Sequence, residues 1–228
     1  MQMIVTSVAD IWTKPSTESE RDSQVIFGES VELLENLGTF SKVKSVDGVI
    51  GYVKTALLGE WSERHYKLSH QIRSEKLSFP FGSYVSKRDV SVFKLPKRYL
   101  RPIEETFIPV NLTRRFVGIP YLWGGTSDFG FDCSGYTQRL FRFSGTEIPR
   151  NSDQQSKASE TVPDFESALP GDLVFFEGHV AFHQGKGRII HANGHYSRVT
   201  ETDLFDSSPY SKELLEIMEK IGRFKLKE

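Results

Sequence analysis

The first sixty residues alternate apolar and polar positions in runs too short for helices. Met3-Ile4-Val5, Ala9-Asp10-Ile11-Trp12, Val25-Ile26-Phe27, Ser30-Val31-Glu32-Leu33-Leu34 and Phe40-Ser41-Lys42-Val43-Lys44 are β-branched or alternating segments. Lys14-Pro15-Ser16, Phe27-Gly28-Glu29, Asn36-Leu37-Gly38 and Asp47-Gly48 punctuate them. Five short strands in so few residues predict a small closed β-barrel over 1–60. From 61 to 105 the alternation fades. Phe79-Pro80-Phe81-Gly82 marks a turn, 89–93 predicts a strand, and Pro96, Pro102 and Pro109 interrupt any regular element after it. No Gly/Ser-rich or low-complexity run appears there, so 61–105 reads as a connecting segment packed between domains.

A second domain spans 106–228. The stretch 110–117 predicts a helix that ends at Gly118, and Tyr136, Leu140 and Phe143, at i, i+4 and i+7, predict another that stops at Gly145. Strands come next at 173–176, 179–183 and 188–192, then a helix near 212–220 and a short strand at 222–225. Helices first and an antiparallel sheet afterwards is an α+β arrangement.

Composition narrows the partners. The formal net charge is -1, which gives no reason to expect nucleic acid or an anionic membrane. No run of about 18 apolar residues exists to span a bilayer. The first ten residues lack the basic start, apolar core and small-residue cleavage site of an export signal, so a cytoplasmic location is expected. A single cysteine excludes an intrachain disulfide and suits a reducing compartment.

That cysteine, Cys133, stands just before the 136–143 run, at or next to a helix N-terminus where unpaired N–H groups and the helix dipole favour an anion. The setting predicts a thiol pKa lowered from about 8.5 and a thiolate nucleophile. The competing reading is a small buried hydrophobe. A cysteine nucleophile needs a base within hydrogen-bond reach and a third group to orient that base.

Four of the six histidines, His179, His183, His191 and His195, fall within 17 residues. On a strand, His179, Ala181 and His183 share a face, and Gly185-Lys186-Gly187 signals a hairpin loop. A two-residue turn would pair Gly185 with Arg188 and put His191 opposite Phe182, away from His179. A three-residue loop with Gly187 as the left-handed bulge residue pairs Gln184 with Arg188 instead. Ala181 then meets His191, His179 meets Asn193, and all four histidines share a face. The chemistry requires the second register, with His191 or Asn193 accepting the second ring N–H of His179.

The spacing of four between His179 and His183, and between His191 and His195, is also that of helical zinc ligands. The flanks are strand-like, so no metal is expected. His183 and His195 stay open between site and structural roles, whereas His65 and His70 read as surface or packing residues.

The motifs Tyr121-Leu-Trp-Gly-Gly, Asp132-Cys133-Ser134-Gly135, Ile148-Pro149-Arg150-Asn151-Ser152-Asp153-Gln154-Gln155, Leu169-Pro170-Gly171-Asp172, His179-Val180 and Ile190-His191-Ala192 resemble the NlpC/P60 cysteine peptidases in order and spacing, over about 110–225. The early Ala-Asp-Ile-Trp-Thr-Lys-Pro and the later Gly51-Tyr52-Val53 resemble a bacterial SH3-like domain. Together they look like the γ-D-glutamyl-L-diamino acid endopeptidases. The resemblance implies an N-terminal SH3-like barrel and a papain-like α+β catalytic domain, with Cys133 as nucleophile, His179 as base and His191 as the polar third member.

It also implies that Asp132 and Ser152 hold the free amine of an N-terminal L-Ala and that Tyr121 lies at the site. A carboxylate and a hydroxyl are the acceptors an ammonium group needs; Asp132 could equally be a helix N-cap. The substrate implied is a small muropeptide such as L-Ala-γ-D-Glu-diaminopimelate, recycled without any cofactor. Two departures from the family pattern stand out. Only Glu177 and Gly178 separate Phe176 from His179, and His183 stands where an aromatic is usual. The alternatives are an exported hydrolase or amidase of intact wall, and a non-catalytic protein that binds wall peptides.

Overall fold

In the computed structural model, which describes residues 1–227, the chain forms two units. The first comprises Met1–Glu105 and Trp123–Phe129. Its alternating segments become β1 (Gln2–Ile4), β2 (Val8–Trp12), β3 (Arg21–Ile26), β4 (Ser30–Asn36), β5 (Phe40–Ser45), β6 (Ile50–Lys54) and β7 (Leu58–Glu60). They form one antiparallel sheet in the order β3-β2-β6-β5-β4-β1-β7. Ile4, Ala9, Ile11, Val25, Val31, Val43 and Val53, drawn from six of the strands, meet in a single core, so the sheet must curl on itself. The alternation predicts five strands and misses β6 and β7. Each of these contains a glycine that weakens the strand signal while admitting a close neighbour. At Gly51 a Cβ would lie 2.5 Å from Ile11 Cγ2 and 2.6 Å from the Trp12 carbonyl oxygen.

Residues 61–105, expected as a connector, belong to this unit and build a core of their own. They carry β8 (Tyr66–Leu68), β9 (Ile72–Arg73), β10 (Ser78–Phe79), β11 (Tyr84–Val85), α1 (Lys87–Val92) and β12 (Leu100–Pro102). Leu68, Ile72, Phe79, Val85 and Leu95 enclose Phe27 from the end of β3, with Phe27 edge-on to Phe79 at 4.8 Å between centroids. The strand expected at 89–93 is replaced by α1. Ser86 accepts the Asp89 N–H and Asp89 accepts the Ser86 N–H, a capping box that outweighs the β-propensity of Val90 and Val92.

β13 (Thr126–Ser127) completes the unit. Thr126 N–H and Oγ1 donate to Gln24 on β3, the Phe81 N–H donates to the Asp128 carboxylate, and Trp123 Nε1 donates to Glu20.

The second unit comprises Thr106–Leu122 and Gly130–Glu228. β14 (Gly130–Phe131) leads directly into α2 (Cys133–Phe143), and α3 (Ser152–Ala158) comes after it. A six-stranded sheet runs β15-β20-β16-β17-β18-β19, built from β15 (Glu160–Val162), β16 (Leu173–Phe176), β17 (His179–Gly185), β18 (Arg188–Asn193), β19 (Arg198–Asp203) and β20 (Met218–Arg223), with α4 (Pro209–Glu216) before the last strand. α2 packs on the sheet through Tyr136 and Phe141, whose rings lie 5.9 and 5.6 Å from Phe182.

The helix expected at 110–117 is a 3₁₀ helix, Pro109–Phe116. Its carbonyls are diverted from an α-helical ladder: Thr113 Oγ1 donates to the Val110 oxygen and Tyr136 OH to the Thr113 oxygen, each at 2.8 Å.

The β17–β18 hairpin has the register that the chemistry requires, with Phe182 opposite Ile190 and His183 opposite Ile189. The loop differs from the expected one. Gly185 pairs with Arg188 around a two-residue turn, and the register shifts between His183 and Gly185, leaving Gln184 as the extra residue of a bulge. Lys186 at φ 55° and Gly187 at φ 72° are both left-handed, as a type I′ turn demands.

Gly28 tests how tightly 61–105 seats on the barrel. It has φ +81°, and a Cβ there would lie 1.9 Å from the Tyr84 carbonyl oxygen; Gly38, at φ +84°, has nothing within 4 Å. Gly38→Ala should cost about 1 kcal/mol, the strain of a left-handed alanine. Gly28→Ala should cost roughly 3 kcal/mol or more, because backbone must also move. Denaturant midpoints of the two variants make the comparison, and equal losses would rule out the close approach.

Candidate active site

The site is assembled at the N-terminus of α2. Asp132 is the N-cap, extended at φ -90° and ψ 177°, and its Oδ1 accepts the Gly135 N–H at 2.6 Å. Arg150 grips the same carboxylate with both arms, Nη1 to Oδ1 at 3.0 Å and Nη2 to Oδ2 at 2.5 Å. Arg150 is 2% exposed and Asp132 7%, so this is a buried, bidentate ion pair. Ser134 Oγ accepts from Arg150 Nη1 at 2.9 Å and donates to Asp132 at 3.3 Å. Gln155 on α3 donates to the carbonyls of Ser134 and Pro149, which ties α3 to the first turn of α2. Arg150 and Gln155 lie inside the motif run 148–155, yet the sequence alone assigns neither a role. Only the fold shows which charges meet.

Cys133 is the first residue of α2 and is 8% exposed. The expectation of a lowered thiol pKa is not met. Burial first, then the negative charge of Asp132, push it up to about 11, against hydrogen bonds from the Val180 and Ser134 backbone and the charge of Arg150. The Val180 contact brings the start of β17, whose first residue is His179, to the thiol. His179 is pushed down to about 4 by burial, with Asp132 acting in the opposite direction. Burial thus favours the uncharged form of both the thiol and the imidazole.

His179 Nε2 lies 2.7 Å from His191 Nδ1. His191 is fully buried, and burial together with the neighbouring His179 holds it well below the usual imidazole range. Its far nitrogen, Nε2, meets Asn193 Nδ2 at 2.9 Å and Thr202 Oγ1 at 3.1 Å. Of the two candidates for orienting His179, His191 makes the contact and Asn193 stands behind it.

The other histidines separate. His183, also fully buried, lies with Nδ1 3.3 Å from the Leu169 carbonyl, and its Nε2 accepts the Gly187 N–H at 3.4 Å, which fastens the hairpin turn. His195 stacks on Tyr210 at 4.2 Å on the exposed turn after β18. Among the described residues no group of three His, Cys, Asp or Glu side chains is placed to hold a metal.

Tyr121 is held by its N–H to the Ser197 carbonyl at 2.9 Å. Burial, then the charges of Cys133 and Asp132, raise its phenol to about 12, so it stays a hydrogen-bond donor. Ser152 is the first residue of α3, half-buried, and among the described residues its hydroxyl has no hydrogen-bond partner. His179 and His191 are in contact, Cys133 meets the start of the same strand at Val180, and the charge of Asp132 acts on Cys133, His179 and Tyr121.

Two measurements probe this geometry. A thiol held near 11 leaves little thiolate at neutral pH, so the rate of Cys133 alkylation should rise about tenfold per pH unit well into the alkaline range. A plateau reached below neutrality would show a thiolate instead. Arg150→Met leaves the Asp132 charge buried without its partner and should destabilise the chain by roughly 3–5 kcal/mol, read from denaturant unfolding.

Comparison with known proteins shows what the two parts of the chain resemble. Residues 118–219 match the NlpC/P60 family, and residues 11–58 match the bacterial dipeptidyl-peptidase SH3 domain. A gamma-D-glutamyl-L-lysine dipeptidyl-peptidase of Bacillus cereus is 36% identical over 135 residues, 55% of this chain and 40% of that protein. Its namesake in Bacillus subtilis is 49% identical over 76 residues, 33% of this chain and 24% of the relative. The matches thus span less than half the length of these curated relatives. The crystal structure of an NlpC/P60 family protein from Bacillus cereus aligns over 97% of this chain and 98% of its own, with a TM-score of 0.80 at 22% identity, so the two share a fold. The chain thus carries an NlpC/P60 domain over 118–219, preceded by a bacterial dipeptidyl-peptidase SH3 domain over 11–58.

Proposed function

We propose that the chain is a cysteine endopeptidase that cleaves the γ-D-Glu–diamino acid bond of small muropeptides with a free N-terminal L-Ala, recycling wall fragments in the cytoplasm. The observation that carries the reading is the buried thiol at a helix N-terminus, in contact with the start of the strand whose first residue, His179, meets a second histidine. Cys133 Sγ attacks the amide carbonyl, and its proton passes to His179 Nδ1, the ring nitrogen not engaged by His191. The Cys133 N–H, which has no intrahelical acceptor at the first position of α2, is available to the oxyanion. His179 then returns the proton to the leaving amine, and water hydrolyses the thioester.

The dipeptidyl-peptidase names of the relatives support the substrate class and favour lysine as the diamino acid. Asp132 and Ser152 supply the amine site. Asp132 Oδ2 holds one hydrogen bond, from Arg150, and keeps a second lone pair for an ammonium, while the Ser152 hydroxyl is uncommitted.

Digests of L-Ala-γ-D-Glu-L-Lys, the diaminopimelate peptide and their N-acetylated forms, analysed by mass spectrometry, test this. Cys133→Ala should leave less than about one per cent of turnover, His179→Ala should behave alike, and His191→Ala should be milder. Ser152→Ala should raise KM about tenfold for free-amine peptides only, the loss expected for one hydrogen bond to a charge. Equal rates on free and acetylated peptides in the unmodified enzyme would refute amine recognition.

A further inference from the structure

Asn193, at the end of β18, is 2% exposed and has two fixed neighbours. One end of its amide accepts the Tyr196 N–H at 2.8 Å, and a backbone N–H only donates, so that end is the carbonyl oxygen. The NH₂ end therefore faces His191 Nε2 at 2.9 Å. An amide nitrogen donates and does not accept, which makes Nε2 the bare nitrogen of His191. A neutral His191 then carries its proton on Nδ1 and donates it to His179 Nε2, 2.7 Å away. Thr202 Oγ1, 3.1 Å from the same Nε2, is a hydroxyl that serves either tautomer and does not decide between them.

We propose that Asn193 is a positioning residue that sets the tautomer of the histidine pair and holds the resting enzyme in a form where His179 offers no bare nitrogen to the Cys133 proton. With Nε2 accepting from His191, a neutral His179 keeps its own proton on Nδ1. For Nδ1 to receive the thiol proton, His179 must carry its proton on Nε2 and His191 must carry its proton on its own Nε2. The number of protons is unchanged, but that arrangement sets an N–H against the Asn193 NH₂. It becomes comfortable only when the amide turns over and releases the Tyr196 N–H. One amide, held by the turn at 194–197, thus decides whether the base is ready.

The surroundings do not reverse this choice. The charged and titratable groups near the pair are Asp132 and Cys133 at the start of α2, Arg150 before α3, Tyr121, Tyr210 from α4 at 6.3 Å from His191, and His195 and Tyr196 in the turn. Asp132 is the negative charge among them, and it acts on His179 rather than on the far nitrogen of His191. Burial already opposes a positive charge on either imidazole, and the Asn193 donor works in the same direction.

Nitrogen-15 spectra of the imidazoles in the full chain read the tautomer directly. The unmodified protein should show His191 protonated at Nδ1 and bare at Nε2. In Asn193→Asp the carboxylate accepts from both Tyr196 N–H and His191 Nε2–H, so the tautomer should reverse. The acid limb of kcat/KM should then move up by about one to three pH units, the range for a carboxylate set against an imidazole. Cys133 alkylation at neutral pH should quicken about tenfold or more. Asn193→Ala should fall between the two. A proton on His191 Nε2 in the unmodified protein, or an unchanged tautomer in a folded Asn193→Asp, overturns the proposal. The inference rests on His179 serving as the base for Cys133, but the nitrogen spectra do not depend on turnover. Activity surviving in Cys133→Ala with the expected spectra would therefore sink the catalytic reading and leave the tautomer assignment standing.

Discussion

The carboxylate of Asp132 is the point on which the site depends. It caps α2 through the Gly135 N–H, it is gripped by Arg150, and its charge reaches Cys133, His179 and Tyr121 at once. A buried ion pair of this kind contributes little to net stability, because desolvating both ions offsets most of their attraction. Its value is geometric. Two parallel N–H···O bonds and a cap bond leave Asp132 one orientation, and the first turn of α2, where Cys133 begins, inherits that orientation. Ser134 and Gln155 extend the same lock into α3, so the helix that carries Ser152 is registered against the helix that carries the thiol.

Residues that are neighbours in the motif divide their work. Tyr121 belongs to the unit that holds Cys133, and its backbone is tied to the turn after β18. Trp123 to Phe129 belong to the other unit, where Trp123 binds Glu20 and Thr126 binds Gln24. Gly124, at φ +73°, would place a Cβ 2.8 Å from the Arg21 carbonyl oxygen. The Trp-Gly-Gly stretch therefore lies against the start of β3, through the Trp123 carbonyl and Gly124 at Arg21.

The elements legible in the sequence are those whose burial is periodic. α2 is apolar at helical spacing, and the runs that became β16, β17 and β18 are buried almost throughout. α3 leaves no periodic signal because only Gln155 of its seven residues is buried, and β19 none because only Val199 of its six is. In both, a partner element supplies the reason for the structure. The histidine register was legible because one alternative would have separated His179 from His191. The loop that achieves it was not, since a bulge at Gln184 leaves no mark in the sequence. Arg150 and the Asn193 amide were beyond reach for a related reason: hydrogen-bond direction depends on which end of a group meets which neighbour.

The thiol shows how magnitudes decide between two sound arguments. A helix N-terminus favours an anion by about 0.3–1 kcal/mol, and up to about 2 when partly buried. Raising the Cys133 thiol from 9.0 to about 11 corresponds to about 3 kcal/mol against the thiolate. Burial and the Asp132 charge, which make up that opposing side, thus exceed the contribution of the helix terminus. The same burial disfavours the imidazolium, so an ion pair would have to create two charges in a site that resists each. In the proposed mechanism, a neutral pair whose proton moves only as the sulfur attacks requires neither charge in the resting state, and the position of one proton on His179 becomes the quantity that the surrounding residues must control.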